Sequence, residues 1–118
     1  ENTDFRRVLY TAENSQLVLM SLLGGEEIGL ETHPDNDQFF RFESGQGKVI
    51  INETEYEVKD GDAIVIPKGS QHNVINTGAD RLQMYTINSP AHHKYGVIRA
   101  TKAIAESSDE EFDGKTSE

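Results

Sequence analysis

Short β-rich runs, each closed by a turn signal, recur along most of this 118-residue chain. Even punctuation of that kind is the pattern of an all-β sandwich or barrel. The runs predict strands over Phe5–Thr11, Gln16–Leu23, Glu26–Glu31, Gln38–Glu43, Lys48–Asn52, Glu55–Val58, Ala63–Ile66, His72–Asn76 and Arg81–Asn88. Between them, Leu23-Gly-Gly-Glu, Ser44-Gly-Gln-Gly, Lys59-Asp-Gly-Asp and Asn76-Thr-Gly-Ala supply residues that tolerate positive φ at hairpins. Pro67 follows Ile66 where a strand must stop. Helix is confined to a short C-terminal segment, Lys102–Glu106, with Thr101 as its cap. The length suits one domain with one modest core.

Charge narrows the partners. The chain carries 21 acidic and 11 basic residues, a formal net charge of −10. Half of that excess falls in residues 106–118, where six acids stand against Lys115. The domain is therefore expected to span residues 1–105, and the acidic tail 106–118 to be disordered. So acidic a domain lacks the basic footprint that a phosphate backbone requires, so nucleic acid is not an expected partner. No apolar run approaches the ~20 residues of a membrane-crossing helix, and no signal-peptide core opens the chain. A cytoplasmic protein without a membrane partner is the expectation. There is no cysteine, which removes disulfides, thiolate metal sites and a thiol nucleophile.

Two segments carry the chemistry. In the first, Gly25, Glu31, His33, Gln38 and Gly45 stand at set intervals; in the second, Gly61, Pro67, Gly69, His72 and Asn76 do so. These spacings resemble the two motifs of the cupin family. The second motif matches without exception, whereas in the first Glu31 and Gln38 replace a histidine and a glutamate. The resemblance covers residues 25–76 and implies a jelly-roll β-barrel.

Residues i and i+2 of a strand share a face, so Glu31 and His33 can point together into such a barrel. By resemblance Glu31, His33, Gln38 and His72 are the ligands of one divalent metal ion: manganese, iron, zinc, nickel or cobalt. The carboxylate has moved from the Gln38 position to the Glu31 position, so the formal charge of the site is unchanged. Asp37 competes with Gln38, but only Gln38 leaves the six residues before Gly45 that the motif asks for. Gly69 and Pro67 serve the turn that delivers His72, and Asn76 is expected to cap a loop. His92 and His93, after Pro90, are read as surface histidines, with a role for one at the barrel mouth as the weaker reading.

Strand parity sends Phe40 and Phe42 inward with Gln38, and Ile28, Leu30 and Phe39 outward. The outward group predicts an apolar patch buried in a homodimer. A metal beside an apolar wall suits a small organic ligand or substrate with oxygen donors. The resemblance extends to chains labelled mannose-6-phosphate isomerase-like, so a metal-dependent sugar isomerase is the first functional reading. An iron-dependent dioxygenase and a non-catalytic small-molecule-binding barrel are the alternatives. No catalytic acid or base is assigned: Tyr10, Tyr56, Tyr85 and His92 are the open choices.

Overall fold

The computed structural model of the chain describes residues 2–93, 96–106, 114, 116 and 117. Ten strands and one helix follow in order: β1 (Arg6–Thr11), β2 (Gln16–Leu22), β3 (Glu31–Thr32), β4 (Asp37–Ser44), β5 (Gln46–Ile51), β6 (Thr54–Lys59), β7 (Ala63–Ile66), β8 (Gln71–Asn76), β9 (Leu82–Ser89), β10 (Ile98–Arg99) and α1 (Lys102–Glu106). They form a six-stranded sheet ordered β10-β1-β2-β9-β4-β7 and a four-stranded sheet ordered β3-β8-β5-β6. All the pairings are antiparallel. The fold is the expected all-β jelly-roll barrel with a short C-terminal helix.

Period-2 alternation decides what lies inside. Along β2 the inward residues are Gln16, Val18, Met20 and Leu22; along β9 they are Leu82, Met84, Thr86 and Asn88; along β4 they are Gln38, Phe40 and Phe42. Register lines these up in rows: Leu22 with Leu82, Met20 with Met84 and Phe42, Val18 with Thr86 and Phe40, Gln16 with Asn88 and Gln38. The barrel interior thus grades from aliphatic at one end to amide at the other. Val49, Val58 and Val74 close the aliphatic end from the smaller sheet. Phe40 and Phe42, stacked with ring centroids 6.2 Å apart, are packed core.

Turns follow the expected chemistry. Asn76 fastens the β8–β9 connection: its Nδ2 donates to Leu22 O (3.0 Å) and Asp80 O (2.8 Å), and its Oδ1 accepts from Gly78 N. The β5–β6 hairpin turns on Asn52 and Glu53, at φ 45° and 78°, as a two-residue loop that needs positive φ at both positions requires. At the other end of β5, a Cβ on Gly47 would lie 2.5 Å from Ile75 O, so only glycine lets the strands approach there. Thr101 caps α1, its Oγ1 accepting from Ile104 N at 3.2 Å.

Three expectations change. The run Glu26–Glu31 is not one strand: only Glu31–Thr32 pairs regularly, although Ile28 N still donates to Val74 O and Asn76 N to Glu26 O. Gly29, at φ 110°, breaks the alternation, so Ile28 turns into the core while Leu30 stays 63% exposed. The outward trio of Ile28, Leu30 and Phe39 is therefore not one face. Phe39 instead stands in register with Leu17, Ile87 and Val65 across the outside of the larger sheet. The third change is β10, which pairs with β1 and has no counterpart among the predicted strands. Most of the acidic stretch 106–118 lies outside the described residues; within it, Ser117 N donates to Thr11 O and Ser117 Oγ accepts from Thr11 N, both at 2.7 Å.

Glu53 holds a left-handed conformation that costs an L-residue about 1 kcal/mol or more, partly offset by the chain entropy glycine would lose. Glu53→Gly should therefore raise stability by about 0.5–1 kcal/mol, read as an increased urea midpoint at constant m-value. A lower midpoint would show that the turn is held by the Glu53 side chain instead.

Candidate metal centre

The polar end of the barrel gathers its histidines through two short connections. Glu31 of β3 lies directly opposite His72 of β8 in the ladder. His33 follows two residues after Glu31, and its carbonyl accepts a 2.8 Å hydrogen bond from Gly69 N in the turn that precedes β8. Gly69 has φ 83°, which is why that turn takes glycine. On its other side Asp37 Oδ1 accepts from Lys68 N at 2.8 Å. Asp37 is thus exposed and spent on the turn, while Gln38 points into the barrel and is buried.

The ligand-capable atoms of Glu31, His33 and His72 all lie within 4.8 Å of one another. Glu31 Oε1 is 3.2 Å from His33 Nε2 and 3.9 Å from His72 Nε2, and the two imidazoles stack with centroids 5.3 Å apart. Gln38 approaches from the opposite sheet, its Nε2 donating to Asn88 Oδ1 at 2.9 Å.

Two features fit this set to a cation. His72 Nδ1 donates to Ser70 O at 3.1 Å, so the lone pair sits on Nε2, and that buried Nε2 has no hydrogen-bond partner. Gln38 Oε1 is likewise buried without a partner, because its amide N–H is the group engaged by Asn88. A buried acceptor left open costs about 1–3 kcal/mol, a cost that coordination removes.

Electrostatics point the same way. Burial raises the Glu31 pKa, but the His33 hydrogen bond and the charges of His33, Arg6 and His72 outweigh it, and the net shift is downward. His72 is lowered by burial and by His33, against the opposing pull of Ser70 O and Glu31. At neutral pH the pair is a carboxylate facing a neutral imidazole, the protonation states a metal requires.

His92 and His93 are not surface histidines. His93 is buried, and the His92 ring meets His33 edge-on with centroids 4.3 Å apart. Buried glutamine and asparagine side chains impose this placement. Gln16 Oε1 accepts from His92 N (3.3 Å) and His93 N (3.0 Å), while its Nε2 donates to His93 O (2.8 Å) and Thr11 Oγ1 (2.9 Å). Asn36 Nδ2 donates to Pro90 O and Ala91 O. Desolvation, then the neighbouring His93 and His33, push the His92 pKa down to about 4. Among the open choices for an acid or base, His92 is the one that touches a candidate ligand. Tyr10 and Tyr56 are exposed, and Tyr85 packs on Phe39 outside the barrel.

Known proteins place this architecture. The family model for the cupin domain matches residues 18–88. The chain belongs to the cupin family. The protein BH2720 of Bacillus halodurans superposes on it with a TM-score of 0.90 and 45% sequence identity, covering 92% of this chain and 86% of that one. The uncharacterized protein YrkC of Bacillus subtilis (strain 168) is 45% identical over 111 residues, which are 89% of this chain and 60% of YrkC. A protein of Acanthamoeba polyphaga mimivirus is 44% identical over 102 residues, 83% of this chain and 64% of its own. This cupin domain therefore spans about three fifths of the length of those two relatives.

Two outcomes are expected of the metal-free protein. His92, His72 and Glu31 all have depressed pKa values in the fold. The stability they contribute is complete above their unfolded values and is lost as pH falls through the folded ones. Unfolding free energy should hold above pH 6.5 and decline toward pH 4, with a shallower decline in His92→Asn; an unchanged slope would mean that His92 is not desolvated. Gln16→Leu should cost about 2–4 kcal/mol by stranding three backbone groups and the Thr11 hydroxyl; urea unfolding showing under about 1 kcal/mol would contradict the clamp.

Proposed function

We propose that this cupin domain holds one divalent transition-metal ion through Glu31, His33, His72 and the Gln38 carbonyl, and uses it on a compact oxygenated molecule, a sugar or a small acid, in an isomerase-like reaction. The observation that carries this reading is the gathering of a carboxylate and two imidazoles within 4.8 Å, with His72 Nε2 buried and lacking a partner. The donor set is common to manganese, iron, cobalt, nickel and zinc, so geometry and supply decide which is bound. When bound, the ion acts as a Lewis acid toward a ligand oxygen.

The chain's own residues do the rest. Ser70 O holds the His72 tautomer, and Asn88 turns the Gln38 carbonyl free. In this reading His92, neutral and edge-on to His33, would be the side chain that exchanges a proton with a bound molecule. The buried row of Phe40, Thr86 and Val18 lies next to the amide row and closes the barrel interior beyond it.

The two-imidazole, one-carboxylate content favours a second reading, an iron-dependent dioxygenase. It predicts dioxygen uptake by the ferrous protein, whereas the isomerase works anaerobically with manganese or zinc.

Elemental analysis of untagged protein tests the centre. The native chain should carry stoichiometric metal, or take it up from added manganese, iron, nickel or zinc, and His72→Ala should lose it while remaining folded. A native protein that refuses every one of these ions would overturn the proposal. Affinity should also fall as pH drops and the imidazoles protonate; a constant affinity from pH 7 to about 5 would argue against ligation by His33 and His72.

A further inference from the structure

Six amide side chains are buried in the described part of this cupin domain: Gln16, Asn36, Gln38, Asn73, Asn76 and Asn88. Five of them have engaged NH2 groups. Gln16 donates to Thr11 and His93, Asn36 to Pro90 and Ala91, Asn73 to Glu27, Asn76 to Leu22 and Asp80, and Gln38 to Asn88. Asn88 is the exception. Its side chain is fully buried, its Oδ1 is taken by Gln38, and its Nδ2 has no partner. Thr86, two residues before it on the same inward face of β9, is 2% exposed and its Oγ1 also lacks a partner.

Burying donors without acceptors is costly, about 1–3 kcal/mol for each group. The arrangement nonetheless has a logic beside a cation. One hydrogen bond between Gln38 and Asn88 consumes a donor and an acceptor, and leaves a carbonyl on Gln38 and an NH2 on Asn88. Reversing both amides would leave an NH2 on Gln38 instead, which a cation opposes. A metal bound by the Gln38 carbonyl therefore fixes Asn88 with its N–H groups free. Those donors call for the opposite partner, an oxygen acceptor.

We infer that Asn88 Nδ2 and Thr86 Oγ form a donor subsite on β9 that takes a carboxylate or carbonyl oxygen of the small molecule whose other oxygen meets the metal. The inference rests on the metal reading given above and narrows it: the ligand carries two oxygen functions close enough to span the neighbouring Gln38 and Asn88 side chains. A carboxylate beside a hydroxyl or carbonyl has that form. The subsite needs no charge of its own, because two N–H groups and a hydroxyl solvate an oxyanion in a water-poor interior better than the aliphatic rows can.

Manganese-loaded protein titrated with glycolate, followed by calorimetry and by the water-proton relaxation of the bound ion, tests this. Asn88→Asp keeps an acceptor for the Gln38 N–H and removes the donors. Thr86→Val removes the hydroxyl at nearly constant shape. Both should retain manganese and bind glycolate about tenfold more weakly or worse, the loss of one hydrogen bond to a charged group. Should Asn88→Asp fail to fold, Thr86→Val decides alone. Glycolate binding at parental strength in the folded variants, or no glycolate binding by the loaded parent, overturns the subsite. Retention of manganese by His72→Ala would instead overturn the metal reading beneath it.

Discussion

Glu31 and His72 face each other across a ladder only two residues long, and the candidate centre depends on that pairing. The ladder sets a carboxylate against an imidazole, while the Gly69 N–H reaching His33 O brings the second imidazole onto the same spot. Neither contact is strong alone. They cooperate because the turn carrying Gly69 also begins the strand carrying His72, so a shift of one donor drags the other. The shallow β3 strand is tolerated because the preceding residues still bond to β8 through Ile28 N and Glu26 O.

The interior explains why such a site can be built at this end of the barrel. Rows of Leu, Met, Phe and Val supply the burial that stabilises the fold, and they fill the half of the cavity remote from the histidines. The amide row Gln16, Asn88 and Gln38 then caps that core with groups that bond laterally or to loops. Stability and chemistry are thus largely separated along the strand axis, with Thr86 set as a polar group into the packed row of Val18 and Phe40.

Much of this was legible in the residues, for definable reasons. The glycines and Pro67 mark turns through steric rules that hold in any context, so the strands between them emerge with small errors at their ends. Glu31, His33 and His72 were gathered through the resemblance of their spacing to the cupin motifs, with strand parity allowing Glu31 and His33 a common face. Ile28 could not be placed: Gly29 resets the alternation through a positive φ that the letters alone do not announce. His92 was read first as a surface histidine, with the barrel mouth only as the weaker choice, because its position is imposed by Gln16, seventy-six residues earlier in the chain. A signal existed nonetheless. Gln16 and Gln38 each occupy an inward-parity position of a strand otherwise lined by apolar residues, and Asn88 follows Leu82, Met84 and Thr86 on the inward face of its own; an amide there asks for a partner.

The link between Ser117 and Thr11 has a wider reach than one surface contact. Thr11 accepts from Gln16, which in turn grips His92 and His93. A continuous relay of polar contacts thus joins the segment around Ser117 to the imidazole beside His33. Loss of that contact would loosen the seat of His92 without disturbing the aliphatic rows, which makes Ser117 a remote tether for the histidine end of the barrel.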